Sequence, residues 1–429
     1  KKGIDVIVLD HHQTEINLPD AYSIVNPNRF DDQSDLNYLC AAGVTFLFLI
    51  SLNKHLRSIK WFLNNDFTEP NLIEYLDLVS LGTVCDVVPL IGLNRAIVKQ
   101  GLKVLKSKKN LGLKTLFDIC KIENTPNIYH IGYIVGPRIN AGGRVGKSSH
   151  GANLLLNSNP REVFKIANEL ESFNDERKKL EENVLKDASA KADKLKKDPI
   201  LIITGRNWHE GVIGIVASRL KDKFNKPVIV ISIDKDIGKA SARSIVGFDI
   251  GSIIIAATQK KILVKGGGHK MAGGFTINMS KFDELKEFLI RKFKNTNGDL
   301  TTDKPLYLDS VISSSAMNHE FYKKINSLAP YGSGNPEPKF IIENLKTMNS
   351  KIIKDKHIKS ILVDKSGSSI KTIAFNAVDK EISAYLLRKT KILFNIAGKL
   401  SLNEWKGQSN VEFIIDDISV NKTFKNKVP

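Results

Sequence analysis

Near the start of the chain an unbroken apolar run, Val6-Ile7-Val8-Leu9, stops abruptly at Asp10-His11-His12. A short β-branched run of this kind predicts a buried strand of a parallel sheet. Further on, Cys40 to Leu52 is apolar almost all round and predicts a buried helix. Pro70 opens another helical pattern carrying Leu72, Ile73, Leu76 and Val79, which runs through Leu81-Gly82-Thr83-Val84-Cys85-Asp86 until Pro89 and Gly92 stop it. Asn94 is expected to cap a helix bearing Ile97, Leu102 and Leu105. Periodicity then fails over Gly136-Pro137-Arg138-Ile139-Asn140-Ala141-Gly142-Gly143-Arg144, which predicts a glycine-rich loop with two arginines.

From Pro160 to about Lys197 apolar residues recur at helical spacing, from Val163 and Ile166 to Ala188 and Leu195. A helix of that length is expected to bridge domains. A second α/β unit follows. Strands are predicted over 199–203, 227–231 and 239–244, and helices over 212–224 and 281–292, around the glycine cluster 266–274. After 295–299 the texture changes to short strands near 306–311, 340–344, 358–363, 370–375, 392–398 and 411–415, with a helix near 318–328. That pattern fits a small β-barrel of OB type. The Lys422 to Lys427 tail is expected to fray.

The chain of 429 residues is long enough for two or three domains. A net charge of +18 and a pI near 9.5 favour a polyanionic partner, nucleic acid before an anionic membrane surface, although lysine-rich compositional drift also raises charge. Cys40, Cys85 and Cys120 show no metal-type spacing and fit a reducing cytoplasm. No apolar run is long enough for a membrane span and no secretory signal is visible, so no membrane partner is expected.

Chemistry is expected where polar residues leave predicted strands. Ligands in open α/β sheets sit beyond the carboxyl ends of strands, where Asp10, His11 and His12 fall. Imidazole and carboxylate together suit Mn²⁺ or Mg²⁺ sites, or the triplet caps the following loop. Asp86 at a helix end is a ligand or a cap. Arg138 and Arg144 in a glycine loop grip phosphate, or simply flank a turn. Ser241 and Arg243 share one strand face and form a phosphate clamp or a half-exposed edge. His269, between glycines, meets an anion or makes local hydrogen bonds. His209, in Trp208-His209-Glu210-Gly211, faces an anion at a helix start or caps that helix.

Asp10-His11-His12, Gly82-Thr83-Val84-Cys85-Asp86-Val87-Val88-Pro89-Leu90 and Gly267-Gly268-His269-Lys270-Met271-Ala272-Gly273-Gly274 resemble the DHH phosphoesterase superfamily with its DHHA1 companion domain. Four further stretches, Pro137 to Arg144, Trp208 to Leu220, Ser241 to Ser244 and Leu328 to Pro338, resemble more narrowly the RecJ family of single-strand-specific 5′→3′ DNA exonucleases. The resemblance implies an α/β fold in four parts. These are a parallel-sheet DHH domain over 1–158, a connecting helix over 159–198, a DHHA1 domain over 199–296 and an OB-fold over 304–420.

It further implies two Mn²⁺ or Mg²⁺ ions acting together, about 3.5–4 Å apart in sites of this kind. By position, His11 and Asp86 become metal ligands, His12 meets the scissile phosphate or its water, and Asp10 orients or helps bind metal. Arg138, Asn140, Arg144, Ser241, Arg243 and His269 become backbone and 5′-phosphate contacts, and Tyr331, Phe340, Phe375 and Trp405 candidate stacking platforms. Single-stranded DNA is the implied substrate, in recombination and repair, with a single-strand-binding protein and a helicase as partners. The family's earlier Asp-x-Asp and single Asp motifs have no counterpart before Asp10, so an upstream portion is expected and the chain is expected to be inactive without it. Two other readings stay open: a phosphodiesterase for short oligoribonucleotides or cyclic dinucleotides, and a non-catalytic single-strand-binding protein.

Overall fold

The structure, a computed structural model, describes residues 3–14, 17–123, 125–295, 305–387, 392–405 and 408–420, the side chain of Trp405 excepted. The segment 296–299, the Lys422 to Lys427 tail and the Trp405 ring named above lie outside the described residues. The chain divides into two compact units, residues 1–107 with 306–429, and residues 108–305.

In the first unit β1 (Ile7–Leu9) pairs in parallel with β2 (Ser23–Val25). Helix α1 (Ala41–Ser58) begins where expected but continues further, and it is not buried all round: Ile50 and Leu52 are exposed. After a short α2 (Trp61–Asn64) and a 3-10 turn at Leu72–Tyr75 comes α3 (Leu76–Cys85), then α4 (Gly92–Lys106). Phe46, Leu76, Val79 and Ile97 form the core that joins α1, α3 and α4. Ile91, not Asn94, is the residue before α4. Asn94 is fully buried in the first turn, where its Nδ2 donates to the Tyr38 and Pro89 carbonyls at 2.7 and 2.9 Å.

The OB-type barrel of the same unit opens with β8 (Ser310–Val311) and α12 is its early helix (His319–Asn326), numbered after the helices of the second unit. Strands β9 (Phe340–Ile353), β10 (His357–Val363), β11 (Ser369–Ala374), β12 (Phe394–Trp405) and β13 (Gln408–Ser419) follow, with α13 (Ser383–Leu387) between β11 and β12. The order β9-β10-β11-β13-β12 closes because β12 also pairs with β9. Closure removes free sheet edges, and alternation turns Ile342, Ile358, Leu362, Ile370, Phe394 and Phe413 into the barrel core.

The second unit begins with α5 (Leu111–Ile119) and a π turn at His130–Val135. The expected glycine loop is instead helix α6 (Gly136–Val145), followed by α7 (His150–Leu156). Pro137 stands in the first turn of α6, where a missing N–H costs nothing. Gly142 survives inside the helix because a Cβ there would meet the Lys147 carbonyl at 2.9 Å and Leu170 at 3.2 Å. Close packing thus set Gly142, not loop geometry, whereas a Cβ on Gly143 would meet nothing within 4 Å. The long helix α8 (Pro160–Lys194) starts where expected, capped by Asn159, and lies wholly within this unit instead of marking a boundary between units.

The sheet of the second unit has the order β3 (Leu201–Arg206), β4 (Val228–Asp234), β5 (Ile237–Arg243), β7 (Ala272–Asn278), β6 (Lys265–His269). Only β3 and β4 are parallel. Helices α10 (Ile250–Gln259) and α11 (Phe282–Asn295) bury one face with Ile229, Ile231, Ala240, Ala242, Phe275 and Ile277. Helix α9 (Glu210–Phe224), with α8, covers Leu201, Ile203, Val228 and Val230 on the other face.

Candidate active site and nucleic-acid interface

In the first unit the polar triplet leaves β1 and is held by an asparagine pair. Asn28 Nδ2 donates to the His11 carbonyl at 2.6 Å, and Asn26 Nδ2 to the His12 carbonyl at 2.9 Å. Asn26 is buried, and its Oδ1 accepts from the Asn28 N–H at 2.8 Å. By sequence Asn26-Pro27-Asn28 reads simply as a loop. The Asn-x-Asn spacing was the available signal, since asparagine side chains hydrogen-bond backbone groups in turns.

The four expected groups gather as two pairs. His11 Nε2 stands 3.5 Å from Asp86 Oδ2, with side-chain exposures of 17% and 40%. His12 Nδ1 donates to Asp10 Oδ1 at 2.7 Å, and the His11 and His12 ring centroids are 4.6 Å apart. Partial burial pushes the Asp10 carboxyl up, but hydrogen bonds from the His12 side chain and the backbone outweigh it and leave the pKa below its ordinary value. An imidazole nitrogen and a carboxylate oxygen converging at His11 and Asp86 suit a hard divalent cation such as Mn²⁺ or Mg²⁺. Among the described residues no group of three or more His, Cys, Asp and Glu converges, so this pair accounts for two ligand positions.

Asp86 follows the last residue of α3, and the next residue, Val87, has φ +59°. Helices often end on such a left-handed residue, normally glycine.

In the second unit a cavity of about 650 Å³ is lined by Arg144, Gly211, Gly214, Lys239, Ser241, Arg243, Lys265 and Gly274, among others. Strand register explains it. Lys239, Ser241 and Arg243 lie on one face of β5, opposite Thr276, Gly274 and Ala272 of β7, which in turn face Lys265, Gly267 and His269 of β6. Helix α9 packs over β4 and β5 on that face. A Cβ on Gly267 would meet nothing within 4 Å, whereas one on Gly214 would stand 3.1 Å from Ser241 Oγ and 3.2 Å from Arg243 Nη2. Glycines therefore open the cavity in β6 and let α9 approach its wall.

Arg243 donates to Ser241 Oγ and Ser218 Oγ, both at 3.1 Å. Arg144 Nη1 donates to the Gly211 carbonyl at 3.0 Å. Burial, and then the charge of Arg144, lower the Arg243 pKa; burial, and then Arg177, lower that of Arg144. Both remain cationic. Among the described residues no carboxylate stands within ion-pair distance of either, while Lys239 pairs with Glu210 at 2.6 Å. Glu181 acts on Arg144 only beyond ion-pair distance and Glu210 lines the cavity paired to Lys239, so two crowded guanidiniums without a direct ion pair form a site that an anion stabilises.

His269 is exposed at the end of β6 on the same face, two strands and roughly 10 Å from Arg243. It belongs to a hairpin strand and not to a ligand-cradling loop, and its Nδ1 accepts weakly from the Met271 N–H at 3.4 Å. Arg138 departs from its expected place: it pairs in a bidentate way with Glu171 of α8 and donates to the Ile134 carbonyl at 2.7 Å. Asn140 is exposed on α6. His209 caps α9, its Nδ1 accepting from the Gly211 N–H at 3.1 Å. Lys239 and Lys265 were missed, although the alternation that selected Ser241 and Arg243 also selects Lys239.

On the barrel a cavity of about 510 Å³ is lined by Asn349, Lys351, Lys359, Lys371, Asn403 and Asn410, with Glu412 at its floor. Glu412 is nearly buried and accepts from Lys359 at 2.7 Å and Asn403 at 3.1 Å. Of the expected stacking residues, Phe340 lies in the core and Tyr331 packs against it; Phe375 is exposed, with its ring edge-on to His357.

A DHHA1 domain model matches residues 197–295 and a RecJ OB domain model residues 308–417. Fold and site together thus define a chain that joins a DHH-type polar corner to DHHA1 and OB domains. The single-stranded-DNA-specific exonuclease RecJ of Salmonella typhimurium is 33% identical over 436 residues, which cover 97% of this chain and 73% of that protein. Its Escherichia coli counterpart is 32% identical with the same coverage. The crystal structure of RecJ in complex with Mn²⁺ from Thermus thermophilus superposes with a TM-score of 0.82 at 26% identity, covering 100% of this chain and 60% of that one. The chain belongs to the RecJ family.

Proposed function

We propose that this protein degrades single-stranded DNA from the 5′ end by divalent-metal-dependent phosphodiester hydrolysis, in recombination and repair. The observation that carries the reading is the uncompensated Arg144, Ser241 and Arg243 cluster in a chain that also brings His11 to Asp86. His11 Nε2 and Asp86 are the residues that hold Mn²⁺ or Mg²⁺, the ions named for the two Thermus RecJ structures. Such ions, when bound, activate water and stabilise the leaving oxygen. Asp10 holds the Nδ1 proton of His12 and so fixes its tautomer, leaving Nε2 of an exposed ring to meet the phosphate or its water.

Ser241, Arg243 and Arg144 bind backbone phosphate, including the 5′-terminal one, with His269 and Asn140 at the periphery; Arg138 serves by fixing α6 to α8. The barrel holds the strand through Lys351, Lys359 and Lys371, with Phe375 as a stacking face. We assign the DHH part to 1–158, the connecting helix to 159–198, DHHA1 to 199–296 and the OB-fold to 304–420. A single-strand-binding protein and a helicase are the natural suppliers of substrate. Among the described residues no helix is long and apolar enough to cross a membrane, and Cys40, Cys85 and Cys120 form no disulfide, which fits cytoplasmic work.

The test compares, for the full-length protein, cleavage rates on long 5′-phosphorylated single strands and on dinucleotides, with Mn²⁺. Faster cleavage of the long strand is expected. Preference for dinucleotides would establish the short-substrate phosphodiesterase reading, and strand binding without cleavage the binding-only reading.

A further inference from the structure

Val87 is a β-branched residue at φ +59°, directly after Asp86. Left-handed backbone is a genuine outlier for valine, and such strain persists only where the surroundings over-determine it. Val87 itself is 69% exposed, so its own side chain does not hold the turn. The restraints lie two and three residues further on. The Pro89 carbonyl accepts from buried Asn94, and the Leu90 N–H donates to the Ser333 carbonyl at 2.6 Å.

Ser333 belongs to a tight hairpin, Leu328 to Asn335, that lies between α12 and β9 of the barrel. Gly332 and Asn335 exchange backbone hydrogen bonds at 2.9 and 3.1 Å, and Asn335 Nδ2 donates to the Pro330 carbonyl at 2.8 Å. Its glycines are shaped to the Asp86 turn. A Cβ on Gly332 would stand 2.7 Å from Leu90 Cδ1, and one on Gly334, at φ +71°, would stand 3.0 Å from Pro89 Cβ. Arg95 of α4 donates to the Leu328 carbonyl and ties the hairpin's base to the same unit. Leu90 is buried beneath the hairpin.

We infer that the Leu328–Asn335 hairpin is a positioning element for Asp86: it clamps Pro89 and Leu90 and so holds the strained Val87 turn that aims the carboxylate at His11. The chain leading into the barrel thereby sets the geometry of a metal ligand. This rests on the metal reading of Asp86 given above, but the mechanical link between hairpin and turn does not depend on it.

The test uses the full chain with Gly332→Val, Arg95→Ala and the double variant Gly332→Val/Leu90→Ala, read by hydrogen exchange and by Mn²⁺ binding followed by electron paramagnetic resonance. Gly332→Val should speed exchange over residues 86–91 by about tenfold while barrel strands β12 and β13 and sheet strand β4 stay unchanged, because opening here is local. Arg95→Ala should give a smaller rise. Leu90→Ala frees the space that the new side chain needs and should return exchange most of the way to that of the unsubstituted chain. Mn²⁺ binding should weaken with the exchange change and recover with it. Unchanged exchange at 86–91, a uniform rise across the chain, or no recovery in the double variant would overturn the inference. Absence of Mn²⁺ binding by the unsubstituted chain would count against the metal reading alone, and exchange would then decide the clamp.

Discussion

His11 Nε2 faces Asp86 Oδ2 across 3.5 Å, although one residue leaves a strand and the other ends a helix. Both are fixed by backbone devices outside themselves: Asn28 holds the His11 carbonyl, and the Leu90–Ser333 bond follows Asp86. His11→Ala is expected to reduce Mn²⁺-dependent cleavage at least ~100-fold, since a ligand is lost, while changing single-strand affinity less than about twofold. Cleavage assays beside fluorescence anisotropy check this. Retained cleavage removes His11 from the ligand set.

Arg243 has serine hydroxyls and the Ala242 carbonyl as its hydrogen-bond partners, and among the described residues no carboxylate within ion-pair distance. Arg243→Ala should weaken binding of a 5′-phosphorylated single strand by about 10–100-fold, as for a lost charge-assisted hydrogen bond. It should also erase any preference for the phosphorylated end. Equal loss for 5′-hydroxyl and 5′-phosphate strands would place the contact at an internal phosphate.

Arg138 and Glu171 form a largely buried pair between α6 and α8. Arg138→Ala leaves a carboxylate without its partner and should cost about 3 kcal/mol of stability in a denaturant titration. Strand affinity, measured where the variant is folded, should stay within about threefold, well short of the loss set for Arg243→Ala. A selective loss of affinity without a stability change would restore Arg138 to the phosphate site.

Asp77, in the first turn of α3, is 4% exposed, and burial pushes its carboxyl above the ordinary value, partly offset by the Leu78 N–H at 2.7 Å. A raised carboxyl pKa means that the folded state prefers the protonated form. The penalty for ionising it is complete above the folded pKa and vanishes below the unfolded value. Asp77→Asn, which keeps the acceptor, should therefore raise Tm by about 2–4 °C at pH 7 and leave it unchanged near pH 3. Thermal melts across that range check the sign.

Lys351 and Lys371 line the barrel cavity. Replacing either by alanine should weaken single-strand binding at low salt and reduce the salt slope of log affinity by about one unit if it meets a phosphate. An unchanged slope would take that lysine off the strand's path.

Element type was legible wherever apolar periodicity ran long, as in α8 and the sheet of the second unit. The failures have a common cause. Gly142 in α6 and Gly266, Gly268 and Gly273 in the β6–β7 hairpin are glycines for close packing, against Leu170, Phe275 and Ile254 among others, inside regular elements. Sequence alone does not distinguish a glycine required by φ from one required by a neighbour's atoms. Asp10, His11, His12 and Asp86 were legible because they interrupt apolar runs. The pairing of Arg138 was hidden because its partner, Glu171, lies on another helix, and the Ser333 contact was invisible because a carbonyl makes it.

The most direct measurement follows single-stranded DNA labelled at its 3′ end during digestion by the full-length protein with Mn²⁺, beside the same sequence as a blunt duplex. The account predicts a ladder of single strands shortened one nucleotide at a time from the 5′ end, with the duplex intact and cleavage stopped by chelation. Immediate release of the 3′ label, or equal digestion of the duplex, would contradict it.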